Sequence, residues 1–168
     1  SIDYALSIIP KNQIYISTDS EEIKKVVEEF DVKVIDRPDE ISGDTATTES
    51  TISHVLDSIN EKPKNVILLQ ATSPLRPIES LKKIIEHFEI NNFDSLLTLS
   101  STHRFFWELD GENAIPKYDF QNRLRRQDMK KDDIKYIENG SLYMFSYNHF
   151  LENNNRLGSK IGYYIFPE

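Results

Sequence analysis

Polar side chains suited to ligand binding follow the most apolar run of the chain. The run Val66–Leu69 has no polar interruption, and the segment Gln70–Arg76 comes directly after it. The amide of Gln70 and the hydroxyls of Thr72 and Ser73, with the backbone N–H groups, suit a ligand rich in hydroxyl and carboxylate groups. The pattern alone equally allows a plain turn between a strand and a helix, so both readings stay open here.

A second candidate group is basic, although the chain as a whole is acidic. Lys and Arg number 20 against 28 Asp and Glu, a formal net charge of −8. Three arginines nevertheless fall together at Arg123, Arg125 and Arg126. Such a cluster can hold a carboxylate or phosphate through charge-assisted, often bidentate hydrogen bonds. The alternative is a solvated run of charge, which the residues by themselves favour.

A third candidate group stands before a strand near the end of the chain. Asn139 and Gly140 precede the strand-like run that ends at Phe145. Asn-Gly is also a common turn dipeptide, so this group points to a binding site only in combination with the others.

Several other kinds of chemistry are excluded or disfavoured by the composition. The chain has no Cys, which removes disulfides, Cys-based zinc sites and thiol nucleophiles. The 4 histidines lack the spacing of a zinc pair, and the 5 glycines never form a phosphate-binding loop. The acidic balance disfavours nucleic acid as a partner, and no apolar run approaches the roughly 20 residues of a membrane span. We therefore expect a cytoplasmic protein with neither nucleic-acid nor membrane partners.

Strands and helices that alternate from residue 13 to residue 100 must position these groups. Helical spacing of apolar residues separates short runs of β-type residues. The alternation predicts an α/β fold whose central sheet is mainly parallel, with helices on both faces, and Val66–Leu69 as a central strand covered on both sides. Ligands bind such sheets beyond the carboxyl ends of the strands. Three polar segments lie at these predicted ends: Ser17–Asp19, Asp36–Arg37 and Gln70–Arg76.

We expect a single domain over residues 1–168, incomplete at both ends, because the first and last segments look like parts of interrupted elements. Residues 101–138 depart from the alternation and form a long polar stretch with aromatic islands. So long a stretch with little regular signal is uncommon in a compact domain unless it has a function.

Taken together, three parts of the chain resemble the acylneuraminate cytidylyltransferases, the family of CMP-sialic acid synthetases. They are Ile16–Asp19, Gln70–Arg76, and the pair Arg125–Asp128 with Glu138–Tyr143. Their order and spacing are also similar to that family, and the resemblance covers nearly the whole chain. It implies a Rossmann-like nucleotidyltransferase fold. It also implies the reaction of CTP with a nonulosonic acid to give a CMP-sugar and pyrophosphate, with Mg²⁺ as cofactor.

The resemblance further implies where the substrates bind. The residues it places near the nucleotide are Arg37, Ser42, Asp44 and Thr48. Those it places near the sugar acid are Gln70, Thr72, Ser73, Arg126, Asn139 and Tyr143. The family's triphosphate loop and its magnesium-binding aspartates have no match in this chain, so no metal ligand and no catalytic residue is assigned. We therefore expect the 168-residue chain alone to lack turnover.

The family is dimeric, and the resemblance implies that residues 101–138 form the dimerisation excursion of a homodimer. A second copy would cover aromatic residues that a single chain is expected to leave exposed: Phe105, Phe106, Trp107 and Phe120. Two other functions remain open. One is a related nucleotidyltransferase for another ulosonic acid (legionaminic, pseudaminic or KDO-like), and the other is a non-catalytic dimerising domain that binds a ligand.

Overall fold

The structure is a computed structural model and describes residues 1–167. The helices are α1 (Ile2–Leu6), α2 (Glu21–Glu28), α3 (Thr48–Ser58), α4 (Ser80–Asn91) and α5 (Tyr147–Asn153). The strands are β1 (Tyr15–Thr18), β2 (Lys33–Asp36), β3 (Asn65–Leu69), β4 (Ser95–Thr102), β5 (Trp107–Asp110), β6 (Asn113–Pro116), β7 (Lys135–Ser146) and β8 (Ile161–Phe166). Short 3-10 turns cover Lys11–Gln13, Asp39–Ile41, Arg126–Asp128 and Lys131–Asp133. Glu168, the last residue of the predicted domain, lies outside the described residues. None of the helices within residues 1–167 is long and apolar enough to cross a bilayer.

Side-chain caps fix the starts of α2, α3 and α5. The Ser20 hydroxyl accepts a hydrogen bond from the Ile23 N–H at 3.4 Å, and the Thr47 hydroxyl accepts one from the Ser50 N–H at 3.1 Å. Each cap satisfies an amide that the first helical turn leaves unpaired. The second cap determines where α3 begins, at Thr48, which is one of the predicted nucleotide contacts.

The strands form a two-stranded sheet, a four-stranded sheet and a separate hairpin. In the two-stranded sheet β1 and β2 are parallel. The four-stranded sheet has the order β3-β7-β4-β8. Its strands β3, β4 and β8 run in one direction, and β7 runs against both of its neighbours. The predicted mainly parallel α/β architecture is therefore confirmed, with one reversed strand inside the sheet.

The position of β3 differs from the prediction that it is a central strand. Among the described residues β3 pairs only with β7, so it forms one end of the four-stranded sheet. Its side chains are half-buried rather than fully covered. The apolar run correctly indicated helices on both faces, but the pattern carries no information about whether both edges of a strand are paired.

Helices cover both faces of the four-stranded sheet, as predicted. The cluster on one face joins α1 and α4 to the sheet through Tyr4, Leu81, Ile84, Phe88, Leu96, Leu142, Met144 and Phe166. The cluster on the other face joins α3 and α5 to it through Ile52, Leu56, Tyr143, Phe145 and Phe150. Successive residues of β7 alternate between the two clusters, as the pleat of a strand requires. One strand therefore contributes to both cores.

Much of the excursion at residues 101–138 is more regular than its sequence suggested. Strands β5 and β6 form an antiparallel hairpin, and the rings of Phe105 and Tyr118 lie 4.3 Å apart beside it. The guanidinium of Arg123 lies 4.4 Å above the Phe105 ring, so this member of the predicted basic cluster packs on an aromatic residue. Trp107 and Phe120 remain 50% and 58% exposed.

Candidate functional site

A break in the pairing of β4 with β7 forms the centre of the candidate site. Leu97 pairs with Tyr143, whereas Leu99 pairs with Glu138, so the residues between them bulge out of β7. Gly140 in this bulge has a φ of +65°, a conformation that glycine adopts without strain. Bulges of this kind redirect side chains beside functional sites. We refer to residues 139–142 as the β7 bulge.

The Asn139 side chain is held by three hydrogen bonds. Its Oδ1 accepts one from the Thr98 hydroxyl at 2.7 Å and one from the Ser141 N–H at 3.1 Å. Its Nδ2 donates one to the Ser100 hydroxyl at 3.2 Å. The Thr98 hydroxyl in turn accepts a hydrogen bond from the Leu142 N–H at 3.0 Å. These contacts fix the orientation of the amide and leave the second Nδ2 hydrogen for a ligand.

The Gln70 side chain lies directly over the β7 bulge. Its Oε1 would be 2.9 Å from a Cβ added to Gly140, closer than real Cβ contacts allow. The Gln70 N–H donates a hydrogen bond to the Ser141 carbonyl at 3.2 Å. The structure therefore brings Gln70 next to the bulge that carries Asn139, and both are predicted sugar-acid contacts.

Tyr143 belongs to a second polar group, on the face of β7 that packs against α3 and α5. Its hydroxyl donates to the Glu138 carboxylate, and the Arg156 guanidinium lies 4.6 Å above its ring. Arg156 also pairs with Glu49, the neighbour of Thr48. Burial, followed by the hydrogen bond to Glu138, raises the pKa of Tyr143, so the phenol keeps its proton. Tyr143 is 2% exposed, and the group that a ligand can reach here is the exposed Glu138.

The ends of β1 and β2 form a third polar group, around Arg37. Its side-chain Nη2 donates to the Asp19 carboxylate at 3.0 Å. Its backbone N–H donates to the Thr18 carbonyl at 3.0 Å. A main-chain hydrogen bond and then the Arg37 guanidinium lower the pKa of Asp19. Within residues 1–167 the Nε of Arg37 is buried with no hydrogen-bond partner. The guanidinium has five N–H donors, so those of its Nη groups that Asp19 does not use can bind an anion such as a phosphate.

The remaining predicted site residues on loops and turns are Ser42, Asp44, Thr72, Ser73 and Arg126, and of these only Ser73 is shown beside the β7 bulge, as part of a cavity wall. Asp44, Thr72 and Arg126 are exposed, whereas Ser42 and Ser73 are half-buried. The Ser42 hydroxyl turns back to the main chain and donates to the Pro38 carbonyl at 2.9 Å. The contacts of these five residues with a nucleotide or a sugar acid stay predictions.

A cavity of about 450 Å³ opens beside the β7 bulge, within the size range of small-molecule sites. Its polar lining consists of Ser73, Arg76, Ser100, Asn139 and Ser141. Its apolar lining consists of Leu75, Pro77, Phe166 and Pro167. The cavity therefore connects the segment after β3 with the bulge in β7.

Sequence reasoning missed several residues that hold this site together. Thr98 interrupts the apolar run Leu96–Leu99, and a polar residue inside a buried strand is a signal that could have revealed it. Arg156 had no such signal, because its partner Glu49 is 107 positions away. Arg76 is part of the candidate segment Gln70–Arg76, but the sequence alone assigned it no role.

The Mg²⁺ implied by the resemblance has no fitting set of ligands in the part of the chain that the structure describes. Residues 1–167 contain no group of three or more His, Asp or Glu side chains that could hold a metal ion. No metal ligand is therefore assigned, and no step below depends on one.

Comparison with known proteins gives a consistent picture. A family model described as cytidylyltransferase matches residues 2–166. The N-acylneuraminate cytidylyltransferase of Streptococcus agalactiae serotype V is 27% identical over 166 residues, which cover 95% of this chain and 39% of that protein. The N-acylneuraminate cytidylyltransferase A of Danio rerio is 31% identical over 159 residues, which cover 91% of this chain and 36% of that protein. The chain therefore spans less than two fifths of the length of these relatives.

The fold is shared with a solved nucleotidyltransferase. The structure of CMP:2-keto-3-deoxy-manno-octonic acid synthetase complexed with CTP matches with a TM-score of 0.64 at 11% identity, covering 99% of this chain and 77% of that one. At this identity the match shows the fold alone, which is the nucleotidyltransferase fold that the sequence predicted. Because the family model also matches nearly every residue, the chain belongs to the cytidylyltransferase family.

Proposed function

We propose that the protein is a nucleotidyltransferase that transfers CMP from CTP to a nonulosonic acid of the sialic type and releases pyrophosphate. The observation that carries this proposal is the pair of amides, Gln70 and Asn139, at the β7 bulge beside a cavity whose lining is partly polar. Amide, hydroxyl and guanidinium groups together suit a sugar acid with many hydroxyls. Membership of the cytidylyltransferase family supports the same class of reaction.

In the proposed reaction the anomeric hydroxyl oxygen of the sugar acid attacks the α-phosphorus of CTP in line. A new O–P bond forms, and the bond from the α-phosphorus to the oxygen that bridges to the β-phosphate breaks. Pyrophosphate leaves with the electron pair, and the hydroxyl proton is lost to an acceptor that is not assigned. Catalysis of this kind rests on positioning and on neutralising charge. Mg²⁺ is proposed as the cofactor, with no ligand assigned in this chain.

The proposed roles follow the polar groups of the structure. Arg37 pairs with Asp19 through one nitrogen and keeps other donors for the nucleotide, with Ser42, Asp44 and Thr48 completing the proposed nucleotide contacts. Around the sugar acid we propose Gln70, Thr72, Ser73, Arg126, Asn139 and Tyr143. For Tyr143 the low exposure favours an indirect contribution, through its hydrogen bond to Glu138.

The test is pyrophosphate release by the complete gene product. CTP is compared with UTP, ATP and GTP, and N-acetylneuraminic acid with legionaminic, pseudaminic and KDO-type acids. Release that requires both CTP and a nonulosonic acid supports the proposal, whereas binding of CTP without turnover on any acid would favour a non-catalytic binding domain. The fold shared with a CMP:2-keto-3-deoxy-manno-octonic acid synthetase makes a KDO-like acid the second candidate substrate. We expect no turnover from residues 1–168 alone, since no part of this chain matches the family's triphosphate loop or its magnesium-binding aspartates.

We also propose that the protein is a homodimer assembled through the excursion at residues 101–138. Its support is a set of exposed apolar side chains on and beside the β5–β6 hairpin, among them Phe106, Trp107 and Phe120. Exposed apolar patches of this kind mark interaction surfaces. Analytical ultracentrifugation of the complete gene product tests this, and a monomer at micromolar concentration would contradict it. A cytoplasmic location stays a prediction.

A further inference from the structure

Arg76 is a buried cation that has no acidic partner in the described part of the chain. It is 8% exposed, and none of the ion pairs found within residues 1–167 includes it. Its Nε is also buried without a hydrogen-bond partner among these residues. Burying an unpaired charge is costly, and this burial lowers the pKa of Arg76, although a guanidinium still keeps its charge. A buried charge that destabilises the fold in this way indicates that Arg76 has a functional role.

The guanidinium of Arg76 bridges two elements of the candidate site. Its Nη2 donates to the Gln70 carbonyl at 2.6 Å and to the Ser141 carbonyl at 2.8 Å. Gln70 is the first residue after β3, and Ser141 lies in the β7 bulge. The Ser141 carbonyl also accepts the Gln70 N–H at 3.2 Å, so the segment and the bulge are joined at one oxygen atom. Two contacts at the start of the chain hold the guanidinium in place. Its Nη1 donates a hydrogen bond to the Ser1 hydroxyl at 2.9 Å, and the guanidinium lies 5.6 Å from the centre of the Tyr4 ring in α1.

We propose that Arg76 is a positioning residue that sets the distance between the Gln70 and Asn139 side chains and thereby the affinity for the sugar acid. This inference rests on the proposed function of that site. The Gln70 side chain lies close to the β7 bulge, because its Oε1 would be 2.9 Å from a Cβ on Gly140, the residue next to Asn139. If the bridge is lost, the segment after β3 can move against the β7 bulge.

The charge of Arg76 adds a second effect on the same ligand. Arg76 lines the cavity beside the bulge, and the lining found among residues 1–167 includes no Asp or Glu. An uncompensated positive charge at a cavity wall raises the local concentration of an anionic ligand, and a sugar acid is such a ligand. The nucleotide group at Arg37 and Asp19 has its own cation. We therefore expect a change at Arg76 to alter the affinity for the sugar acid more than the affinity for CTP.

The test replaces Arg76 in the complete gene product with methionine and, separately, with lysine. Arg76→Met removes the bridge and the charge, and we expect the KM for the sugar acid to rise about ten- to a hundred-fold. The KM for CTP should change less than about threefold. Arg76→Lys keeps the charge without the planar fork and should lie between wild type and Arg76→Met. Lys82→Met, which removes an exposed positive charge from α4, is the matched control and should leave both constants unchanged.

Amide hydrogen exchange gives a readout that does not depend on turnover. In Arg76→Met the Gln70 amide should exchange faster than in wild type, while the Leu142 amide, bonded to Thr98, serves as an internal reference. An equal rise in both KM values, or faster exchange with an unchanged KM for the sugar acid, would overturn the positioning role. If the wild-type protein is inactive with every acid, the proposed function is refuted. If, in addition, the Gln70 amide exchanges at the same rate in Arg76→Met as in wild type, the bridge made by Arg76 is refuted as well. If Arg76→Met does not fold, Arg76→Lys decides the same comparisons.

Discussion

Replacing Thr98 with valine tests whether one hydroxyl holds the candidate site in shape. Thr98 is 1% exposed, and its hydroxyl donates to Asn139 Oδ1 at 2.7 Å while accepting the Leu142 N–H at 3.0 Å. Valine has nearly the same shape but no hydroxyl. Thr98→Val therefore leaves the buried Leu142 N–H without its partner and removes one of the three hydrogen bonds that orient the Asn139 amide.

The expected cost follows from these two contacts. An unsatisfied buried donor costs about 1–3 kcal/mol, and a lost hydrogen bond about 0.5–1.5 kcal/mol. We therefore expect the free energy of unfolding of Thr98→Val to fall by about 2–4 kcal/mol, a large share of the roughly 5–15 kcal/mol that stabilises a typical domain. The KM for the sugar acid should rise as well, because Asn139 loses the shortest of the three hydrogen bonds that orient its amide.

The assay is equilibrium denaturation of the complete gene product in urea, followed by circular dichroism, together with the two KM values. Thr98→Ser keeps the hydroxyl and loses one methyl group, so it should cost only about 0.8 kcal/mol. Thr45→Val, at an exposed loop position, should stay within about 0.5 kcal/mol of wild type. A Thr98→Val protein as stable as wild type, or a serine variant as damaged as the valine variant, would refute the reasoning.

Three further predictions concern the other polar groups. The pKa of Asp19 is lowered from 3.8 in the folded protein, so its stabilising effect is complete above that pH and is lost as the pH falls below it. The stability gap between wild type and Asp19→Asn should therefore shrink between pH 7 and pH 3 in urea titrations, and a constant gap would contradict the pairing with Arg37. Gly140→Ala should lower the free energy of unfolding by about 1–2 kcal/mol because of the positive φ at this position. It should also raise the KM for the sugar acid, because the added Cβ displaces the Gln70 side chain. The control Gly111→Ala, with a φ of +59° and nothing within 4 Å of the added Cβ, should show the backbone cost alone. Arg156→Met should lower the free energy of unfolding by about 1–2 kcal/mol, because the side chains of Arg156 and its partner Glu49 are each only 21% exposed. A double-mutant cycle with Glu49→Gln that finds no coupling would contradict that estimate.

The alternation of strands and helices was predictable because it follows from the local spacing of apolar residues. The apolar spacing in α3 and α4 and the polar residues that cap α2 and α3 act over a few positions, so a sequence displays them directly. The same holds for the polar segment after β3. By contrast, the pairing of β7 between β3 and β4 depends on contacts between distant positions, and no local pattern specifies it.

The candidate site was predicted only in part for the same reason. Gln70 and Asn139 came from the resemblance, and the structure places Gln70 over the bulge that carries Asn139. The residues that hold them, Thr98 and Arg76, act through hydrogen bonds across 41 and 65 positions. Such partners become visible only when the chain is folded.

The placement of β7 between two strands that precede it has a consequence for synthesis of the protein. β3 ends at Leu69 and β7 begins at Lys135, so roughly 65 residues separate them. At a translation rate of about 5–20 residues per second, β3 waits on the order of 3–13 s for the strand with which it pairs. During that interval its apolar run Val66–Leu69 has no hydrogen-bonding neighbour in the four-stranded sheet. A nascent chain at this stage exposes strand edges that pair with other chains. We therefore expect a product that ends within the β5–β6 hairpin, and so lacks β7, to aggregate more readily than the whole chain.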